Sequence, residues 1–331
     1  MNYECDGEGN YCDGIANIAM PTNILGTLIF DNLQITGSLY GINSQIIGEV
    51  KQNDMIIGKD VIESGMKIYK RPDDYARGIQ QKRCRIMGDL YQNNLHVDGG
   101  VGQADIIVNG NVKQKEMNIT DNLWQSGSTF KNDVDQENSK FRSLSQDHIT
   151  VGGVLNQTHV KVGEVYQRDS TIKYLNQMGI KAKGLSQYDS RFKGIYQENM
   201  EIEGSVYQNK IIVSDDLDQE NAIVKKHLYQ EDSKINSLKQ DKMIVEGTWL
   251  LDNINVTSYT GQPKKIGGIK YRSFDVPREM LDIVEGWEVL TELHENKDYS
   301  PAYDLCGEEY FTLEKIEEDL IDEVLENIEG E

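Results

Sequence analysis

Apolar residues recur along this chain on a short, even beat. An aliphatic residue stands two places before a glutamine at Leu90, Val101, Val112, Leu123, Val134, Leu144 and on to Leu238. A second apolar residue follows the glutamine by five places, as at Val97, Phe130, Phe141, Val151, Val162 and Ile172. The glutamines are Gln92, Gln103, Gln114, Gln125, Gln136, Gln146, Gln157, Gln167, Gln177, Gln187, Gln197, Gln208, Gln219, Gln230 and Gln240, and every step is 10 or 11 residues. Such a run is a repeat and not an accident of composition. A glycine often opens the unit, as at Gly88, Gly110, Gly184, Gly194 and Gly204.

Apolar and polar residues alternate inside each unit, which is the period of a strand. A unit of this length suits one strand of about five residues and a tight bend. Helix pairs would need a period above about 30 residues with a 3.6-residue rhythm inside it, and none is present. The same beat runs earlier through Leu28, Leu39, Val50 and Val61, and through Ile35, Ile46, Ile57 and Ile68. There only Gln52 marks the ladder position, with Phe30, Gly41 and Glu63 in the matching slots. The basic stretch KRPDDYARGIQQKRCRI breaks the rhythm. The expected organisation is therefore an N-terminal cap over 1–25, β-helical units over 26–69, an interrupting loop over 70–87, a glutamine-ladder β-helix over 88–256 and a C-terminal region over 257–331.

A slower period overlies the short one. Gln136, Gln167 and Gln230 open QENSKF, QRDSTI and QEDSKI, and Gln197 opens QENMEI; these are every third unit. SLSQDHITV at 143–151 and SLKQDKMIV at 237–245 lie 94 residues apart, three periods of about 31. Three units per turn mean three faces, so the expected fold is all-β, a triangular β-helix with strands stacked at about 4.8 Å. Two windings fit this pattern. One chain coils alone, or three chains intertwine into a homotrimeric shaft.

Each glutamine lies two residues from its aliphatic and so shares that residue's inward face. A lone buried amide would cost about 1–3 kcal/mol. Stacked amides pair from coil to coil, so inward ladders are expected over solvated corner glutamines. Tyr91, Tyr166, Tyr196, Tyr207 and Tyr229 each precede a ladder glutamine and would then point outward. By the three-unit rhythm Tyr166, Tyr196 and Tyr229 share one outer face, a contact strip for a glycan or a neighbouring chain. Tyrosine is also simply a good strand residue.

Composition changes the picture in a few places. The chain has 331 residues, 38% hydrophobic and 8% aromatic, with 30 Gly and 5 Pro. Its mean hydropathy is −0.57. Much surface per residue with abundant β-formers suits an elongated repeat, not a disordered chain. The net charge of −21 argues against nucleic acid and anionic membranes as partners. Residues 303–331 carry 12 acidic side chains and one lysine, a net of −11. There Leu313, Ile316, Leu320, Val324 and Ile328 recur at helical steps, so 312–329 reads as an amphipathic helix that either packs on the domain or binds a partner. DVPREMLDIVEGWEVL at 275–290 also reads as helical, with Asp275 as N-cap and Pro277 in the first turn.

Signals of chemistry are sparse. Cys5, Cys12, Cys84 and Cys306 form neither a disulfide framework nor a zinc spacing. No metal or cofactor is expected. The five histidines are scattered, and no nucleophile or phosphate-loop motif occurs. Asp215, Asp216 and Asp218 are the densest carboxylates of the array. They could work as an acid–base pair on a glycan, but read better as a solvated face. No catalytic residue is assigned. No apolar run reaches membrane-spanning length, and the N-terminus shows no secretion signal.

The short Gly-led strand units, low proline and missing secretion signal resemble the β-helical shafts of phage tail spikes, fibres and cell-puncturing needles. That resemblance covers roughly 26–256 and is architectural, without a family motif. The glutamine ending each strand also resembles curlin subunits, and the shape resembles bactofilin-type filaments. The resemblance implies a structural, non-enzymatic protein: a rigid spike, shaft or fibre component, homotrimeric, joined to other structural proteins. It implies a place in a virion or assembled particle, otherwise the cytoplasm. The alternatives are a glycan-binding or glycan-cleaving β-solenoid and a self-polymerising filament subunit.

Overall fold

The computed structural model describes residues 17–20, 23–69 and 78–286. The chain is a parallel β-solenoid of about 12 turns, with 59% of the described residues in strands. Every strand pairs in parallel with strands of neighbouring coils of the same chain. Like meets like along the axis: Gln103 lies over Gln125, Gln125 over Gln146 and Gln146 over Gln167.

The coil holds two units, not three. These partners are 21 or 22 residues apart, so the 31-residue period and the triangular cross-section are overturned. The repeats at 143–151 and 237–245 lie an odd number of units apart and therefore on opposite walls. The three-unit rhythm came from the residue three places past the glutamine. Ser139, Ser170 and Ser233 are buried there, and so are Ile149, Val160 and Met243. Either kind fills the corner. The serines do it by hydrogen bonding: Ser139 Oγ donates to the Gln114 carbonyl at 2.9 Å and accepts from the Met117 amide at 3.0 Å. This choice varies along the chain without bearing on how many units close a coil.

What bends the chain is the residue two places past each ladder position. Among the described residues eighteen non-glycine residues there have φ between 47° and 56°, including Asn94, Asp105, Asn138 and Lys210; Gly65, Gly127 and Gly179 fill the same slot. Most are Asn or Asp, which tolerate the left-handed conformation best. This corner signal was present in the sequence and was not read. Within a wall, between the strands Gln45–Ile47 and Val50–Asn53, Gly48 has φ +146°, and a Cβ there would meet the Gly26 carbonyl oxygen at 2.2 Å.

Several boundaries also move. Coiling begins by Asn17, which pairs with Ser38, inside the expected cap. It resumes at Ile79–Lys82 and Arg85–Ile86, inside the expected loop 70–87. Gln81 joins the ladder between Gln52 and Gln103, a member the sequence reading missed. The solenoid continues past 256 through Lys265–Asp275. Asp275 ends that strand and is not an N-cap. A helix, Arg278–Gly286, follows Pro277, and its Met280 is fully buried. The helix expected over 312–329, with Leu313, Ile316, Leu320, Val324 and Ile328, lies outside the described residues. So do Cys5, Cys12 and Cys306. An intertwined three-chain shaft is not the winding seen, because each coil pairs with the coils before and after it in one chain. Among the described residues no helix is long and apolar enough to cross a membrane.

Candidate functional site

Two walls, each one strand thick, face each other across a narrow core. One wall sends in Leu123, Leu144, Val165 and Leu185; the other sends in Val112, Val134, Leu155 and Leu175, all buried. Two residues beyond each aliphatic comes the glutamine, fully buried as well. One column runs Gln52, Gln81, Gln103, Gln125, Gln146, Gln167, Gln187, Gln208 and Gln230. The other column holds Gln92, Gln114, Gln136, Gln157, Gln177, Gln197, Gln219 and Gln240.

Each side-chain amide has two N–H groups; from Gln81 onward each uses one along its own column, and many also use the second across the core. Gln114 Nε2 donates to Gln92 Oε1 at 2.8 Å along its own column and to Gln103 Oε1 at 3.1 Å in the other. Gln136 repeats this with Gln114 at 2.9 Å and Gln125 at 3.1 Å. Gln208 does so with Gln187 at 2.9 Å and Gln197 at 3.1 Å. The result is one zipped double ladder along the core axis. Its crosswise bonds require the two columns to touch, which two walls permit and three would not. A continuous network of this kind turns buried polar groups from a liability into a device that fixes register.

From Gln81 onward the amides donate toward the N-terminal end, so the ladder needs an acceptor there and a donor at the other end. Glu63 is that acceptor. It is fully buried; it accepts from Gln52 and from Gln92 at 2.7 Å. Burial pushes its carboxyl above the ordinary range, and the bonds from Gln92 and Gln52 oppose this. Beyond Glu63 the ladder slot is Gly41, whose missing side chain leaves room for the sulfurs of Met20 and Met66. At the far end Trp249 Nε1 donates to Gln230 Oε1 at 2.9 Å. Gln240 Oε1 and the Tyr259 hydroxyl are buried there without a partner among the described residues.

The outer faces differ from expectation. Tyr166, Tyr207 and Tyr229 share one wall, and Tyr196 lies on the opposite wall. The strip of Tyr166, Tyr196 and Tyr229 is thus split by the two-unit coil. Tyr207 and Tyr229 stack at 4.7 Å with 3° between their rings, and His227 lies 5.7 Å from Tyr229. Tyr196 instead meets Tyr174 at 6.5 Å. Asp216 forms an ion pair with Lys239 at 2.7 Å, and that hydrogen bond holds its carboxyl below the usual range. Asp218 accepts from the Glu220 amide at 3.0 Å. Asp216 and Asp218 are thus wall residues engaged locally. Glu231 stands apart: burial, then Asp252 and Asp232, raise its carboxyl to about 7. Among the described residues no group of three or more His, Cys, Asp or Glu is placed to hold a metal ion. Cys84 is buried and donates to the Gln52 carbonyl at 3.1 Å.

No protein-family model, curated protein or solved structure matches this chain.

Proposed function

We propose that this chain is a mechanical element, a rigid spike, shaft or fibre component of a virion or appendage-like assembly, and not an enzyme. The observation that carries this reading is the double glutamine ladder. Together with the buried aliphatics it fills the space between the walls of the described coils with groups that hold the coils in register. About 12 coils at about 4.8 Å each give a rod of roughly 55–60 Å. Bending such a rod stretches backbone bonds on one wall and amide bonds in the core together.

Attachment is proposed at the N-terminal end. Leu25, Ile47 and Tyr69 stack in register there, with exposures of 79%, 43% and 38%. Ile29 on the same coils is 54% exposed. A stacked apolar column on an otherwise polar rod suits contact with a copy of itself or another structural protein. A homotrimer made by such lateral contact replaces the intertwined one. Light scattering on a sizing column tests this: three times the chain mass of 37.6 kDa is the expected result. A single-chain mass that becomes trimeric for no concentration, and is unchanged by Leu25→Lys with Ile47→Lys, would reject attachment by self-assembly at this end.

A second reading is favoured by the Tyr207–Tyr229 stack, a flat aromatic surface of the kind that holds sugar rings. A glycan array that lights up for the intact chain and not for Tyr207→Ala with Tyr229→Ala would move the assignment to glycan binding.

A further inference from the structure

One outer column is at odds with the charge of the molecule. Lys140, Lys161 and Lys181 stack directly on one another on successive coils, all three exposed. Like charges directly opposite on neighbouring strands destabilise a sheet. Two residues further along the same outer edge stand Arg142 and Lys183. Glu164 lies beside Lys183, and the carboxylates that form ion pairs occupy the ends of this cluster. Glu201 pairs with Lys181 at 2.7 Å and also with Lys225 at 3.5 Å, and Asp121 lies 3.8 Å from Arg142. Lys140 and Lys161 have no ion-pair partner among the described residues. Yet the chain as a whole has a net charge of −21.

The complementary charge is in the same chain. Residues 303–331 hold 12 acidic side chains against one lysine. We propose that this acidic C-terminal segment folds back along the solenoid and docks on the lysine column of Lys140, Lys161 and Lys181, with Arg142 and Lys183 beside it. Reach permits this. The register runs from Lys181 through Glu201, Ile223 and Ile244 to Lys265, four coils or about 19 Å. The helix ends at Gly286, and the residues from there to Tyr303 span up to roughly 55–60 Å when extended. Spacing permits it too. In the helix that the sequence predicts over 312–329, Glu314, Glu318 and Asp322 recur every fourth residue, about 6 Å apart. The lysines recur every about 4.8 Å, so three successive pairs stay within reach of flexible ammonium stems. Docking offsets the repulsion along the column and covers a positive stripe on an acidic rod. Being exposed ion pairs, the contacts weaken with salt over a Debye length of about 8 Å at physiological strength.

Carbodiimide coupling of the full-length chain tests the proposal, since it joins carboxylates to lysines only where they touch. Cross-links from Asp304–Glu331 should concentrate on Lys140, Lys161 and Lys181 at low salt and fade in 1 M salt, where the Debye length is about 3 Å. A full-length variant with Lys140, Lys161 and Lys181 all changed to Gln should lose them while keeping its circular dichroism. Three exposed pairs are together worth roughly a five- to hundredfold shift in docked population, and coupling yields should fall accordingly. Tail cross-links spread evenly over exposed lysines off this column, such as Lys59 and Lys131, would overturn the proposal. So would links only between isotopically different copies in a mixed sample. So would tail-neutralised protein (Glu314→Gln, Glu317→Gln, Glu318→Gln) that binds a sulfated polysaccharide no better than the intact chain does, because the column is then an open site for an external polyanion.

Discussion

Two glutamines with equal burial should respond very differently to the same change. Gln146 and Gln240 are both fully buried, and methionine nearly matches glutamine in size and shape, so Gln→Met adds little cavity cost. Gln146 Oε1 accepts from Gln157 and from Gln167, each at 2.9 Å. Removing it leaves Gln157 with Gln136 at 3.0 Å, but strips Gln167 Nε2 of the one acceptor it has. A buried donor left unmade costs about 1–3 kcal/mol, and the loss of the second bond to Gln157 adds to it. Gln146→Met should therefore cost about 2–4 kcal/mol. At Gln240 the oxygen is already without a partner, and its Nε2 serves only Gln219 Oε1 at 2.9 Å. Gln240→Met exchanges one unsatisfied acceptor for another, a change within about 1 kcal/mol. A solenoid need not unfold in one step, so urea midpoints should be read beside hydrogen exchange of peptides from Lys161–Arg168, the strand that carries Gln167. Faster exchange there in Gln146→Met and not in Gln240→Met is the expected result. Equal losses for the two variants, or none for Gln146→Met, would refute the claim that the ladder stabilises through pairing and not through burial alone.

The remaining expectations concern single positions. Glu231 is held up at about 7 by burial and by Asp252 and Asp232, so the folded state binds its proton more tightly than the unfolded chain does. Its penalty is therefore absent below about pH 4 and grows as pH rises through the window to about 7. Glu231→Gln should stabilise the protein at pH 8 by roughly 1–2 kcal/mol after allowance for solvent screening, and thermal melts across that range should converge with the parent at low pH. Lys210 sits at φ 54°, where asparagine is better tolerated; Lys210→Asn should raise stability by about 0.5–1 kcal/mol in chemical denaturation. Trp249→Phe removes the donor to Gln230 Oε1 and should cost about 1–3 kcal/mol. Combining it with Gln230→Leu should recover part of that loss in a double-mutant cycle.

Much of the fold was legible because a solenoid writes its period into the chain. The interval of 10 or 11 residues, the inward aliphatic and the inward glutamine are local facts of strand alternation. Each unit must bury the same two or three positions whatever the rest of the molecule does. The terminal slots Glu63 and Gly41 were visible as departures from the rule, although their meaning was not. Gln81 was hidden because the insertion before Gly78 shifts the beat. The corner residues were legible and unread: Asn, Asp or Gly two places past the glutamine is a left-handed turn signal.

What the sequence by itself determined is the unit, one strand and one corner with a polar residue committed to the core. What only the tertiary structure decided is how many units close a coil. Closure depends on the angle that successive corners add up to and on which side chains meet across the core, and neither is a property of one unit. Two walls bring Gln103 within 3.1 Å of both Gln92 and Gln114, so amides such as Gln103 and Gln114 use both of their N–H groups. That crosswise pairing selects the flat coil. It also sends Tyr196 to the wall opposite Tyr166 and Tyr229, and it stacks Lys140, Lys161 and Lys181 into one column, because neighbours on a solenoid face are set by coil length and not by sequence likeness.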